Sequence, residues 1–136
     1  MEENTNLTLF EGRQLKSYCS INPKTEEEKK QLFNALEQCD ILLNDIVGQD
    51  IMIKDIFCEE REYTDEETGE LKTKYRTIIF DETGKTYATA AYGIYNVLNK
   101  IIAIYGLPEN WSKPLSVKVI KRQTKNGKST LTLTLN

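Results

Sequence analysis

The residues of this chain that could do chemistry are basic side chains near its end. After Trp111 the sequence has no acidic residue but contains Lys113, Lys118, Lys121, Arg122, Lys125 and Lys128. Their charges could neutralise a phosphate backbone, and the turn residues Asn126 and Gly127 would let a loop approach that backbone closely. In the alternative interpretation, the same charges keep an edge strand soluble and prevent it from pairing with another chain.

Aromatic side chains near basic ones could provide a second kind of contact. Tyr75 lies between Lys74 and Arg76, Tyr87 lies on a later strand, and Trp111 lies in a loop. Aromatic faces beside basic groups hold single-stranded nucleic acid by stacking on its bases. Alternatively, the two tyrosines are partly buried with hydrogen-bonded hydroxyl groups, and Trp111 covers one end of the core. The candidate contact residues are Lys74, Tyr75, Arg76, Tyr87, Trp111, Lys118, Lys121, Arg122, Lys125 and Lys128.

The sequence does not indicate an enzyme. It has no histidine, which excludes Ser-His and Cys-His catalysis. Cys19, Cys39 and Cys58 are widely spaced, so we interpret them as small buried residues, neither a disulfide framework nor a zinc site. The acidic segment 59–70 lacks the ligand spacing of an EF-hand loop. We therefore expect no catalytic residue, no metal and no cofactor.

Length and composition fit one ordinary domain. The chain has 136 residues, 39% hydrophobic and 29% charged, values typical of a globular domain. Its net charge of −3 hides an uneven distribution, because acidic residues concentrate before residue 71. A local basic face therefore remains compatible with a polyanionic ligand. The sequence lacks an apolar run of about 20 residues and a signal peptide, so we expect a cytoplasmic protein without a membrane partner.

The order of predicted elements in the last two thirds of the chain indicates a fold. Strands are predicted at residues 51–58, 74–80, 85–90, 115–120 and 129–135, with a helix that starts at Tyr92. The apolar positions change parity between Ile53 and Ile56, which predicts a bulge in a strongly curved first strand. One helix between the third and fourth of five strands predicts a mainly β fold, the five-stranded OB barrel.

Residues 1–45 are predicted to form an extension packed on this barrel, with residues 46–136 as the binding domain. Extended segments are predicted at 7–10 and 16–21. Thr25 and Glu28 then form the pattern of a capping box, followed by the apolar stripe Leu32, Phe33 and Leu36 of a helix. The extension would either mediate self-association or only cover one end of the barrel, so the oligomeric state stays open.

Three sequence stretches resemble the single-stranded DNA-binding proteins of bacteriophages that infect Gram-positive bacteria. They are IIFDETGKTYAT from residue 78, GIYNVL from residue 93, and KVI from residue 118 followed by KNGKSTLTL from residue 125. The resemblance covers about residues 46–136. It implies an OB-fold protein in the host cytoplasm that coats single strands during phage replication, protects them from nucleases and removes hairpins, with replication proteins as further partners.

The sequence thus predicts a sequence-independent binder of single-stranded DNA. One rival is a protein-interaction module, such as a phage inhibitor of a host enzyme, that uses the acidic hairpin 59–70. A second rival is an oligosaccharide-binding OB domain, whose affinity would not depend on salt.

Overall fold

The protein folds into one curled β-sheet that carries a helix on each face. The computed structural model describes residues 15–136. The strands are β1 (Leu15–Cys19), β2 (Ile41–Leu42), β3 (Asp50–Thr64), β4 (Leu71–Asp81), β5 (Thr86–Thr89), β6 (Leu115–Gln123) and β7 (Ser129–Leu135), and the α-helices are α1 (Glu26–Glu37) and α2 (Tyr92–Tyr105). Within the described part of the chain, no helix is long and apolar enough to cross a membrane.

Strand β3 organises the sheet because it pairs with three other strands. It pairs with β4 from Ile53 to its end, with β6 through residues 50–53 and with β1 through residues 57–61. The register against β4 shifts between Ile53 and Asp55, which confirms the predicted bulge. Such a bulge bends the strand and changes the face to which later side chains point.

The order of the strands leaves the sheet open in the described residues. The strands follow the order β2-β5-β4-β3-β6-β7, and β1 joins the free side of β3. All pairs are antiparallel except that of β2 with β5. Strands β2 and β7 therefore lie at the two ends of the order, and the sheet curls without a ladder between them.

Helix α2 fills the inner face of the curled sheet. Ile94, Leu98 and Ile101 are buried in one cluster with residues of β3 and β6, including Ile53 and Val117. This spacing is the apolar stripe that a core-facing helix requires. Helical spacing from Tyr92 onward also predicts Tyr105 on this apolar face. Its side chain is exposed, so that part of the prediction is wrong.

Helix α1 covers the outer face. Its predicted capping box is present: the Thr25 hydroxyl accepts a hydrogen bond from the Glu28 backbone N–H at 3.1 Å, and the Glu28 carboxylate accepts from the Thr25 N–H. Leu32 is buried in a second cluster with Phe57 of β3 and two residues of β4. Phe33, predicted to share the buried stripe, is exposed and that prediction is wrong.

The predicted succession of three strands, one helix and two strands is present, but several boundaries differ. The five predicted strands correspond to β3 to β7, with α2 between β5 and β6, while the described sheet also contains β1 and β2 and so has seven strands. Within the segment 59–72, the sequence predicts a turn at residues 65–70 between polar strand ends, and the flanking residues 59–64 and 71–72 belong to the ladder of β3 and β4. The two-residue strand β2 is too short to show a pattern in the sequence. The extended segment predicted at 7–10 lies outside the described residues.

We expect Gly93→Ala to destabilise the protein by about 1–3 kcal/mol, although alanine favours helix. A Cβ atom at this position in α2 would collide with the Leu131 carbonyl oxygen of β7 and lie 2.7 Å from the Thr130 hydroxyl. Urea denaturation measures the effect. Lys100→Ala, on an exposed position of the same helix, is the matched control, and equal stability of the two variants would contradict the close contact.

Candidate nucleic-acid interface

Three tyrosines from β4 and α2 form an aromatic cluster. The Tyr75 ring centroid lies 5.0 Å from that of Tyr92 and 4.6 Å from that of Tyr95. The rings are tilted against each other, an arrangement that favours aromatic pairs. Tyr92 is 56% exposed, so it can offer a ring surface to a planar ligand. We call Tyr75, Tyr92 and Tyr95 the tyrosine cluster.

The cluster is held in place from the side of β3. The Tyr95 hydroxyl donates a hydrogen bond of 3.0 Å to a Glu60 carboxylate oxygen. Burial, followed by this hydrogen bond, raises the pKa of Tyr95 to about 12. The hydrogen bond orients the Tyr95 side chain, and the Tyr92 ring lies beside it with 6.2 Å between the ring centroids.

A groove of about 570 Å³ opens beside Tyr92, between α2, the end of β5 and the β6–β7 hairpin. Its described lining includes Lys121, Asn96 and the hydroxyls of Thr89 and Thr130, and it includes no carboxylate. The N-terminus of α2 opens on this groove, and its N-cap residue Ala91 has no side chain that could cap it. A helix N-terminus beside a lysine favours an anion electrostatically.

A separate cleft lies beside the end of α1. It has a volume of about 510 Å³ and has Thr89 in common with the groove. Arg61, Lys74, Tyr75 and Arg76 line it, together with the carboxylate residues Glu37 and Glu59 and apolar residues near the end of α1. Cationic and aromatic side chains thus border both the groove and the cleft, and the cleft also carries acidic side chains.

The β6–β7 hairpin does not present its charges on one face. Lys121 lies opposite the buried Leu131 and projects toward the groove. Lys118 and Arg122 alternate with the buried positions of β6 and so lie on the other face of the strand. The Lys118 ammonium is 3.6 Å from the Asp50 carboxylate. Lys125 and Lys128 lie in and beside the exposed tip, where Gly127 takes the positive φ of 77° that the predicted turn requires.

Comparison with known proteins identifies the family. The model of the family described as phage single-stranded DNA-binding protein, of the phi29 type, matches residues 13–136. The chain belongs to this family. A single-stranded DNA-binding protein of Bacillus phage GA-1 is 27% identical over 108 residues, which cover 76% of this chain and 63% of that protein. The chain thus spans less than two thirds of the length of this relative. No solved structure matched the chain.

Two aromatic residues predicted to contact nucleic acid make hydrogen bonds and packing contacts within the protein in this phage family member. Tyr87 is only 8% exposed and lies in the core. Its hydroxyl donates a hydrogen bond of 2.9 Å to Asp81, so its ring has no free face on which a base could stack. Trp111 packs against the core, and its indole N–H donates to the Gly106 carbonyl oxygen at 2.8 Å. This position favours the alternative interpretation of Trp111 as a cover of the core.

Arg76 has a partner that the sequence could not reveal. One guanidinium nitrogen donates a hydrogen bond of 2.7 Å to the carbonyl oxygen of Leu36, in the last turn of α1. The final carbonyl groups of a helix lack intrahelical donors and carry its negative dipole end. Arg76 therefore links α1 to the sheet through this nitrogen, while its side chain also lines the cleft.

Sequence reasoning missed two groups of residues at this interface. Helical spacing predicts Tyr92 and Tyr95 as core or helix-flank residues, since it does not show that β4 brings Tyr75 against them. Arg61 and Tyr63 lie in the segment interpreted as an acidic hairpin, and the sequence predicts no role for them. If residues 59–64 are treated as a strand, alternate positions place Arg61 and Tyr63 on one face and Glu60 and Glu62 on the other. This alternation is the signal in the sequence that could have identified them.

We expect Arg76→Met to destabilise the protein by about 1–2 kcal/mol, because the carbonyl group of Leu36 loses its donor. Urea denaturation measures the loss, with Lys74→Met on the same strand as control; Lys74 is exposed, and a change within about 0.5 kcal/mol is expected there. If the Arg76→Met protein is instead as stable as the wild type and its DNA affinity depends less on salt, the result would support the predicted phosphate contact of Arg76.

We expect stability to fall as the pH rises from 10 to 12. Burial, followed by the hydrogen bond to Asp81, raises the pKa of Tyr87 from 10.0 to about 12. The folded state therefore holds the phenolic proton more tightly than the unfolded state, and this contribution is complete below pH 10 and lost through pH 12. In Tyr87→Phe the alkaline loss should be smaller by about 1–2 kcal/mol. Urea denaturation at each pH tests this, and identical losses in both proteins would contradict it.

Proposed function

We propose that this chain binds single-stranded DNA without sequence preference. The observation that carries the proposal is the exposed Tyr92 ring, supported by Tyr75 and Tyr95, beside a groove lined by Lys121 and by no described carboxylate. Every base has an aromatic face, so stacking on a tyrosine does not select a sequence. Lysine neutralises phosphate equally for every sequence.

We assign the fold to the OB class, with residues 46–136 as the binding unit and 1–45 as its extension. Two features support this assignment: the order β5-β4-β3-β6-β7 around a shared first strand, and a single helix between its third and fourth strands. OB folds are partly open five-stranded barrels that bind oligonucleotides. In this assignment α1 covers part of the outer face, and the groove and cleft remain for the ligand.

The physical roles follow from the geometry. A base that stacks on Tyr92 gains about 1–3 kcal/mol by the measure of aromatic truncation. The adjacent phosphates pass Lys121 and the N-terminus of α2, while Lys125 and Lys128 at the tip raise the local positive potential. Lys74 and Tyr75 continue the contacts on the cleft side. The bound length would lie within the range of about 4–16 nucleotides known for one OB fold.

In the infected cell such a protein would coat single strands during phage DNA replication and protect them from nucleases. The family description and the name of the Bacillus phage GA-1 relative support this role. We place the protein in the host cytoplasm, with replication proteins as further partners, and we assign it no enzymatic activity. Self-association remains an open part of the proposal.

Titration with poly(dT), followed by intrinsic tyrosine and tryptophan fluorescence, tests the proposal. We expect saturable quenching that weakens with salt. Tyr92→Leu should lower affinity by about 1–3 kcal/mol, and Lys121→Gln should reduce the log–log salt slope by about 0.7. The matched controls are Tyr105→Leu and Lys100→Gln, at exposed positions of α2. Neither substitution should change binding.

Absence of quenching at low salt, confirmed by gel shift, would contradict the proposal. Loss of partner binding on neutralisation of Glu66, Glu67 and Glu70 would then favour the protein-interaction function. Binding of an oligosaccharide without salt dependence would favour the function of an oligosaccharide-binding OB domain.

A further inference from the structure

Strand alternation separates the charges of the β3–β4 hairpin onto two faces. Arg61 pairs in register with Lys74, and Tyr63 pairs with Lys72. Directly paired residues of an antiparallel ladder lie on the same face, and these four share the outer face of the sheet. Glu60 and Glu62 alternate with them and lie on the inner face. The segment that looks uniformly acidic in the sequence therefore has one mainly cationic and aromatic face, on which the Glu59 carboxylate is paired with Arg61.

The contacts on the outer face leave Arg61 and Lys74 exposed and Tyr63 half-buried. The Lys74 ammonium lies 4.5 Å from the centre of the half-buried Tyr63 ring, so this ring already contacts a cation of the protein. The Arg61 side chain is 61% exposed, and its guanidinium lies 3.6 Å from the largely buried Glu59 carboxylate. Lys72 is paired with Asp65 at 2.8 Å, so it contributes less.

We propose that this outer face is a second contact surface for single-stranded DNA, which lengthens the bound stretch beyond the groove. The inference rests on the proposed function and deepens it. The cleft beside Lys74 and Arg61 has the lining residue Thr89 in common with the groove, so the two cavities are neighbours. The bound strand then runs outward along the hairpin, with Tyr63 as a further stacking residue and Arg61 and Lys74 at its phosphates.

Length and charge support this occupant. The paired residues 59–64 and 71–76 extend for about 20 Å at about 3.4 Å per residue, enough for at most about six nucleotides at the spacing of a stacked strand. The carboxylates on the inner face repel phosphate, so a strand that leaves the groove is directed to the outer face. A protein partner of acidic character is the alternative occupant.

The experiment compares thymidine oligomers of increasing length, together with the site size on poly(dT). The test variant is Arg61→Gln/Tyr63→Leu, and the matched control is Lys100→Gln/Tyr105→Leu on exposed positions of α2. For the wild type, affinity should rise with length beyond the groove. For the test variant it should stop rising earlier, with about tenfold weaker binding of long oligomers and about twofold or less change for short ones. The site size should fall by about three to six nucleotides.

Tyr63→Phe keeps the ring and should behave as the wild type, which separates loss of stacking from loss of folding. Equal weakening for all lengths in the test variant, or behaviour identical to the control, would overturn the inference. It would also be overturned if poly-glutamate bound the wild type and not the test variant while DNA binding was the same in both. Wild-type protein that bound no oligomer of any length would overturn the proposed function, and this inference with it.

Discussion

The ladder of β3 with three other strands is the constraint on which the rest of the structure depends. A flat strand could not pair with β6 at its start and with β1 and β4 at its end while its apolar side chains stayed in the core. The bulge between Ile53 and Asp55 resolves this conflict, because the strand bends there and the inward-pointing positions change from odd to even residue numbers. Both cores follow from it: Ile53 and Ile56 pack under α2, and Phe57 packs under α1.

The same ladder determines on which face of the sheet each charged side chain lies. Beyond residue 58 the hairpin leaves the core, but the alternation set by the buried part continues, so the parity of Phe57 decides on which face Arg61 and Tyr63 lie. Glu60 is turned inward by the same rule and becomes the acceptor for Tyr95. One register thus positions the tyrosine cluster on one side and exposes basic side chains on the other. A slip of one residue would exchange these two faces.

The open groove depends on a close contact at its base. Gly93 lets the first turn of α2 approach the backbone of β7, so the helix closes the core below while Tyr92 remains at the surface beside Lys121. A bulkier residue would push the helix away and alter both the groove and the support of the tyrosines. Glycine has a low helix propensity, but at this position the close packing of α2 against β7 compensates for that cost.

The sequence by itself determined the local features: the capping box at Thr25, the bulge, the turn at Gly127, and the order of strands around one amphipathic helix. Each depends on residues close together in the chain, so spacing and residue type suffice. Only the tertiary structure decided which candidates share a surface. It placed Tyr87 in the core, bound Arg76 to the end of α1, brought Tyr92 and Tyr95 against Tyr75, and put Arg61 and Tyr63 on the outer face. Those outcomes depend on register and on contacts between distant segments, and the periodicity of a single strand or helix does not contain them.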